Sequence, residues 1–226
     1  MRGVFVTGTD TGIGKTLVSC GLLRAFTQAG LRSVGMKPVA SGAIRSPEGL
    51  RNDDALAILR SASVALPYEW VNPYAFEPPI APHIAAAEAG VQIELSVLLE
   101  AYKQVCERGD AVVVEGVGGW QVPLSGRFGL PELARALALP VVMVVGMRLG
   151  CLNHALLTAR AIRDDGLQLA GWIANRMQAE FPRARENLAT LQNELPAPLL
   201  GEVPYLSAPE AGCADKYLGV AVQRLS

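Results

Sequence analysis

The chain has 226 residues, half of them hydrophobic but only 6% aromatic, and a formal charge of −1. That length can bury a full core as one α/β domain spanning residues 1–226, and the near-neutral charge gives no electrostatic footprint for nucleic acid or an anionic membrane. With no apolar stretch approaching about 18 residues and no signal-like opening segment, a cytoplasmic protein is expected.

In chain order, a strand over Gly3–Thr7 runs into Gly8-Thr9-Asp10-Thr11-Gly12-Ile13-Gly14-Lys15-Thr16 and then a helix over Lys15–Ala29. Strand, glycine loop and helix in that order are a phosphate-binding P-loop, one residue longer between its glycines than the standard motif. Glycines let successive N–H groups converge on phosphate oxygens at the positive end of a helix. Lys15 then neutralises phosphate charge and Thr16 offers its hydroxyl to Mg²⁺. A glycine-rich turn with an incidental lysine is the alternative, and the strand–helix setting argues against it.

A second strand over Ser33–Val39 carries Lys37 near its end, before Pro38-Val39-Ala40-Ser41-Gly42. Ligands bind at that edge of a doubly wound sheet. Lys37 is therefore a second cation for charge moving onto a transferred phosphoryl group, or else a solvated strand-end lysine. The helix predicted over Asp53–Ser61 opens on Asp53 and Asp54, which suit capping or one of which reaches a metal; the pattern does not choose between them. From Tyr68 to Pro82, four prolines (Pro73, Pro78, Pro79, Pro82) predict an ordered irregular excursion without a strand, shaping a substrate pocket.

A helix over Leu95–Arg108 precedes the strand Ala111–Val114, which delivers Glu115 and then Gly116-Val117-Gly118-Gly119. A carboxylate at the tip of an apolar strand can be a solvated charge, but beside a P-loop it suits Mg²⁺. Helices over Leu130–Leu137, Asn153–Asp164 and Phe181–Glu194 then alternate with strands over Val141–Val145, Ala170–Ala174 and Leu199–Val203. The rhythm predicts an α/β, P-loop NTPase-like single domain with a mostly parallel central sheet and helices on both faces. Asn175 ends the fifth strand where guanine-reading P-loop proteins carry Asn-Lys-x-Asp, and Gln178 replaces that Asp. Asn175 can still pair bidentately with an adenine edge, so adenine is expected. Cys20, Cys106, Cys151 and Cys213 are too scattered for a disulfide or zinc framework, and His83 and His154 lack partners at ligand spacing.

Taken together, Thr7-Gly8-Thr9-Asp10-Thr11, Gly14-Lys15-Thr16, Lys37 to Gly42, Asn72-Pro73-Tyr74, Val114 to Gly119, Gly150-Cys151-Leu152-Asn153-His154 and Gly201-Glu202-Val203-Pro204 resemble the dethiobiotin synthetase family along nearly the whole chain. The resemblance implies an ATP-dependent cyclo-ligase of biotin synthesis that joins CO₂ to 7,8-diaminononanoate through a carbamate and a carbamic–phosphoric anhydride. It implies that Gly12, Ile13, Gly14, Lys15, Thr16 and Leu17 cradle ATP, with Glu115, Gly116, Val117 and Gly118 completing the nucleotide site. Thr16, Asp54 and Glu115 would hold Mg²⁺, Lys15 and Lys37 would act at the carbamate and phosphate, and Thr11 and Ser41 would meet the diamine. Asn175, Arg176, Pro204, Tyr205 and Leu206 would frame adenine. The family's homodimers imply that Gly150, Cys151, Leu152 and Asn153 receive the substrate carboxylate of the partner's site. Gly12 and Val117 depart from the family pattern, and residues from Met177 to Asn187 do not match it. A MinD/ParA-like ATP switch would carry an extra lysine where this chain has Thr9-Asp10-Thr11, and its membrane helix has no counterpart in the weakly basic Lys216 to Arg224. A larger amide-forming P-loop synthase would need another substrate domain.

Overall fold

The computed structural model describes residues 2–207 and 213–225. The elements are β1 (Arg2–Gly8), α1 (Lys15–Gln28), β2 (Ser33–Met36), β3 (Val39–Ser41), β4 (Ile44–Ser46), β5 (Gly49–Arg51), α2 (Asp53–Ser61), α3 (Tyr68–Val71), β6 (Tyr74–Phe76), α4 (Pro82–Glu88) and α5 (Leu95–Cys106). They continue with β7 (Ala111–Glu115), α6 (Leu130–Leu137), β8 (Val141–Met147), α7 (Cys151–Asp164), β9 (Leu169–Arg176), α8 (Ala184–Glu194), β10 (Leu199–Val203), a 3₁₀ turn (Cys213–Tyr217) and α9 (Gly219–Leu225).

Six strands form one sheet in the order β10-β9-β8-β1-β7-β2, every neighbouring pair parallel. Every residue of β7 and β8 is buried, so both faces of the sheet are covered, as runs of Val with Met and Ala require in a parallel sheet. The core runs from Phe26, Leu22 and Leu23 of α1 through Phe5 to Trp172. Phe5 meets Trp120 edge to face, with centroids 6.3 Å apart. The chain first builds β2 and β7 on one side of β1, then β8, β9 and β10 on the other, so the loop after β1 opens at the point where the winding reverses.

Several expectations are corrected. The strand expected over Ser33–Val39 breaks after Met36, because Pro38 has no N–H to continue the ladder. Lys37 instead donates its N–H to the Val71 carbonyl at 2.8 Å. The excursion from Tyr68 to Pro82 does contain a strand: Tyr74, Ala75 and Phe76 pair in parallel with Val39, Ala40 and Ser41. Those three residues lie between Pro73 and Pro78 and keep their N–H groups, and the stretch also holds the one-turn α3. The hairpin of β4 and β5, helix α4 and the C-terminal turn and helix were not foreseen, each being too short to show a period. Helix α7 starts at Cys151, two residues before the expected Asn153, and α8 starts at Ala184 where Phe181 was expected. Among the described residues, no helix is long and apolar enough to cross a membrane.

Candidate active site

The loop after β1 is anchored before it is charged. Ile13 is buried, its side chain filling the space where Cβ atoms on Gly8 and Gly146 would sit, each 2.7 Å from it. The Thr9 N–H donates to the Val144 carbonyl at 3.0 Å, tying the loop to β8. Gly14 caps α1 at φ 89°, and no side chain caps the helix, so its first N–H groups face outward as an anion site. A side chain at Gly14 would also strike Asn175, whose Nδ2 lies 2.2 Å from the position of a Cβ there.

Four charged side chains meet beside this loop. Lys37, 3% exposed, donates through Nζ to Glu115 Oε1 at 2.6 Å and to the Gly116 carbonyl at 2.9 Å. Asp54 Oδ2 lies 3.5 Å from the same nitrogen. Burial alone would lower the pKa of Lys37, but the carboxylates of Glu115 and Asp54 outweigh it and hold the group above its ordinary value. The Thr16 hydroxyl donates to Glu115 Oε1 at 3.0 Å. Lys15 Nζ donates to the Asp10 carbonyl at 2.9 Å, and the Asp10 carboxylate pairs with Arg148. Burial, then the charge of Lys37, pushes the pKa of Lys15 down to about 8. Asp54 lines the cavity, whereas Asp53, exposed at the same helix start, does not.

A cavity of about 700 Å³ gathers Thr11, Gly12, Gly14, Lys15 and Thr16 with Lys37, Ser41, Asp54, Glu115, Val117 and Gly118. Its apolar wall, Pro79 to Pro82, comes from the proline-rich excursion that the sequence pointed to as shaping a pocket. The Ser41 hydroxyl is buried without a hydrogen-bond partner. A smaller cavity of about 180 Å³ shares Gly12 and Gly14 with the first and adds Leu17, Asn175, Arg176, Pro204, Tyr205 and Leu206. Met177, which sequence reasoning left unmatched, lines it too. Ile13 lies beneath the loop, and Gly116 contributes its carbonyl to Lys37.

Asn175 is tied to the loop. Its Nδ2 donates to the Ile13 carbonyl at 2.8 Å, and among the described residues no donor reaches its Oδ1. The same nitrogen, which carries a second N–H, lies 3.7 Å from the weakly accepting Met177 sulfur. Gly150, Cys151, Leu152 and Asn153 line neither cavity; they form the head of α7, with Gly150 at φ 94° and no side-chain cap.

A protein-family model described as an AAA domain matches residues 2–211. The chain is 58% identical over 208 residues to the ATP-dependent dethiobiotin synthetase BioD of Pseudomonas paraeruginosa, covering 92% of this chain and 91% of that one. It is 50% identical over 219 residues to ATP-dependent dethiobiotin synthetase BioD 1 of Escherichia coli O157:H7, covering 96% and 97%. Among solved structures, the MinC:MinD cell division protein complex of Aquifex aeolicus matches with a TM-score of 0.62 at 16% identity, over 100% of this chain and 95% of that one, a likeness of fold alone.

Proposed function

The chain belongs to the dethiobiotin synthetase family, ATP-dependent ligases that form C–N bonds, and from that premise we propose how its residues divide the work. One amine of 7,8-diaminononanoate captures CO₂ as a carbamate and releases a proton. A carbamate oxygen attacks the γ-phosphoryl group of ATP and ADP leaves, giving the carbamic–phosphoric anhydride. The neighbouring amine then attacks the carbonyl carbon, phosphate departs, a proton is lost and the ureido ring closes. Holding both amines on one molecule makes this last step intramolecular, worth several kcal/mol of barrier, up to about 7–11 in well-oriented cases.

The observation that carries this reading is the buried Lys37, charged between Glu115 and Asp54 on the same cavity as Lys15 and the P-loop. Two fixed cations at the transferred phosphoryl group stabilise negative charge as it shifts between carbamate and phosphate, where the low dielectric strengthens each contact. The outward N–H groups of Gly12 to Leu17 receive the phosphates. The 180 Å³ cavity takes adenine, whose exocyclic amino group suits the acceptor Oδ1 of Asn175; guanine offers a carbonyl there. Ser41 and Thr11 face the diamine, with the unpartnered Ser41 hydroxyl free for an amine.

Mg²⁺ fits the donor set: Glu115 Oε2 is buried without a partner, and the Thr16 hydroxyl and Asp54 add hard oxygens beside it. When bound, the ion neutralises charge on the phosphate oxygens. The protein acts as a homodimer in the cytoplasm. Leu149 is 93% exposed and Leu157 56%, an apolar face on and beside α7 that a second copy would cover. The uncapped head of α7 then offers Gly150 to Asn153 to the carboxylate of the substrate in the partner's cavity.

Incubation with MgATP, diaminononanoate and labelled bicarbonate should place label in a ureido product. Folded, ATP-binding protein that yields no labelled product overturns the proposal.

A further inference from the structure

The motif Asn72-Pro73-Tyr74 has no part in the chemistry above, yet Asn72 is 3% exposed and its side chain is fully engaged. Its Nδ2 donates to the Lys37 carbonyl at 2.6 Å and to the Tyr74 carbonyl at 3.2 Å, and its Oδ1 accepts from the Tyr68 hydroxyl at 2.8 Å. The Tyr68 oxygen in turn accepts from the Asn52 N–H at 2.8 Å. Asn52 caps α2 through Oδ1, which accepts from the Ala55 N–H, and its Nδ2 donates to the Ser41 carbonyl at 3.3 Å.

Lys37 lies just beyond the last ladder residue of β2, so the sheet does not place it. Its N–H goes to Val71 and its carbonyl to Asn72, both at the end of the α3 turn. The same turn, through Tyr68 and Asn52, sets the start of α2, where Asp54 sits, and holds the backbone of Ser41. The Arg51 guanidinium stacks 4.3 Å over the Tyr68 ring, a contact that helps hold the phenol.

We infer that Tyr68 and Asn72 are positioning residues: the chain of hydrogen bonds from the Lys37 carbonyl through Asn72, Tyr68 and Asn52 holds the phosphoryl cation, the metal-side carboxylate Asp54 and the substrate-side Ser41 in one frame. Neither side chain lines the cavity, and both act through others. The inference rests on the roles given to Lys37 and Asp54 above. A displacement of about 1 Å at a reacting group can cost on the order of a hundredfold in rate, so losing one oxygen from this chain should register in turnover.

The test compares Tyr68→Phe and Asn72→Asp with wild type, Lys37→Ala and the exposed control Glu69→Gln, reading kcat, the Mg²⁺ concentration for half-maximal rate, ATP affinity and Tm. Tyr68→Phe keeps the ring and deletes the oxygen that joins Asn52 to Asn72. It should lower kcat about tenfold or more and raise the Mg²⁺ requirement severalfold, with ATP affinity within about twofold, because the P-loop is untouched. Asn72→Asp keeps the acceptor for Tyr68 and turns a carboxylate oxygen toward the Lys37 carbonyl, so it should lose at least as much. In Tyr68→Phe combined with Asn72→Asp the losses should not multiply, since both break one chain. A fall in Tm with kcat and Mg²⁺ dependence unchanged in Tyr68→Phe would make the chain merely structural and overturn the inference. Inactive Lys37→Ala with Tyr68→Phe within about twofold of wild type would overturn the network alone. Full turnover in Lys37→Ala would overturn the role of that lysine and the inference with it.

Discussion

Replacing Lys15 with methionine tests whether the P-loop lysine destabilises the empty protein. Its side chain is buried, and burial followed by the charge of Lys37 lowers its pKa from 10.5 to about 8. The unfolded chain keeps the higher value, so between these limits the unfolded state binds more protons and stability rises with pH. Below the lower limit both states are protonated and the whole penalty is present. A drop of about 2.5 at about 1.36 kcal/mol per unit corresponds to about 3 kcal/mol. Methionine keeps an apolar stem of similar length and removes that penalty, but it forfeits the 2.9 Å hydrogen bond to the Asp10 carbonyl, worth about 1 kcal/mol. Without nucleotide at about pH 7, Lys15→Met should therefore be more stable than wild type by about 2 kcal/mol. The advantage should shrink through the pH window above about 8 and vanish toward 10.5. Urea unfolding at about pH 7 and pH 9.5 measures both points. Adding MgATP should reverse the order, because only wild type gains binding free energy. A Lys15→Met protein less stable than wild type at neutral pH, or a difference that does not change with pH, would refute the reasoning.

Lys37→Ala should fold and bind ATP but lose on the order of a hundredfold or more in kcat, measured as ureido product per folded protein; near-normal turnover would reduce the residue to a structural charge. Glu115→Gln should raise the Mg²⁺ concentration needed for activity, and an unchanged Mg²⁺ titration would remove Glu115 from the metal shell. Gly35→Ala places a Cβ 2.4 Å from Ile58 Cγ2 and 3.0 Å from Leu23 Cδ1. That crowding between β2, α1 and α2 should lower stability by about 1–3 kcal/mol in urea unfolding, and a neutral result would show that α1 and α2 yield easily. Leu152→Asp and Lys15→Ala should each be nearly inactive alone, yet equal mixing with subunit exchange should restore about a quarter of wild-type activity, because half the dimers pair one of each and hold one intact site. No recovery after verified exchange would place each active site within one chain.

The P-loop, the parallel sheet and the acidic tip of β7 were legible in the sequence because each depends on local chemistry. A glycine loop between a strand and a helix can hardly do anything but present N–H groups, and runs such as Val112-Val113-Val114 cannot face water on either side. All six expected strands of the sheet were found, with Ser33–Val39 shortened where Pro38 removed a donor. Local pattern could not choose Asp54 over Asp53, because both suit a helix start; only the crossing of α2 past the end of β2 brings one of them to Lys37. Nor could it show that Asn175 spends one donor on the Ile13 carbonyl, 162 residues away in sequence. The strand Tyr74–Phe76 was hidden because its pairing partner, Val39–Ser41, lies outside any local window, and three residues carry too little periodicity to announce themselves. The sequence by itself determined which groups could do chemistry, since that is a property of residue type and immediate neighbours. The tertiary structure decided which of them meet, and with what charge, because burial and the proximity of Lys37, Glu115 and Asp54 arise only when segments distant in sequence pack together.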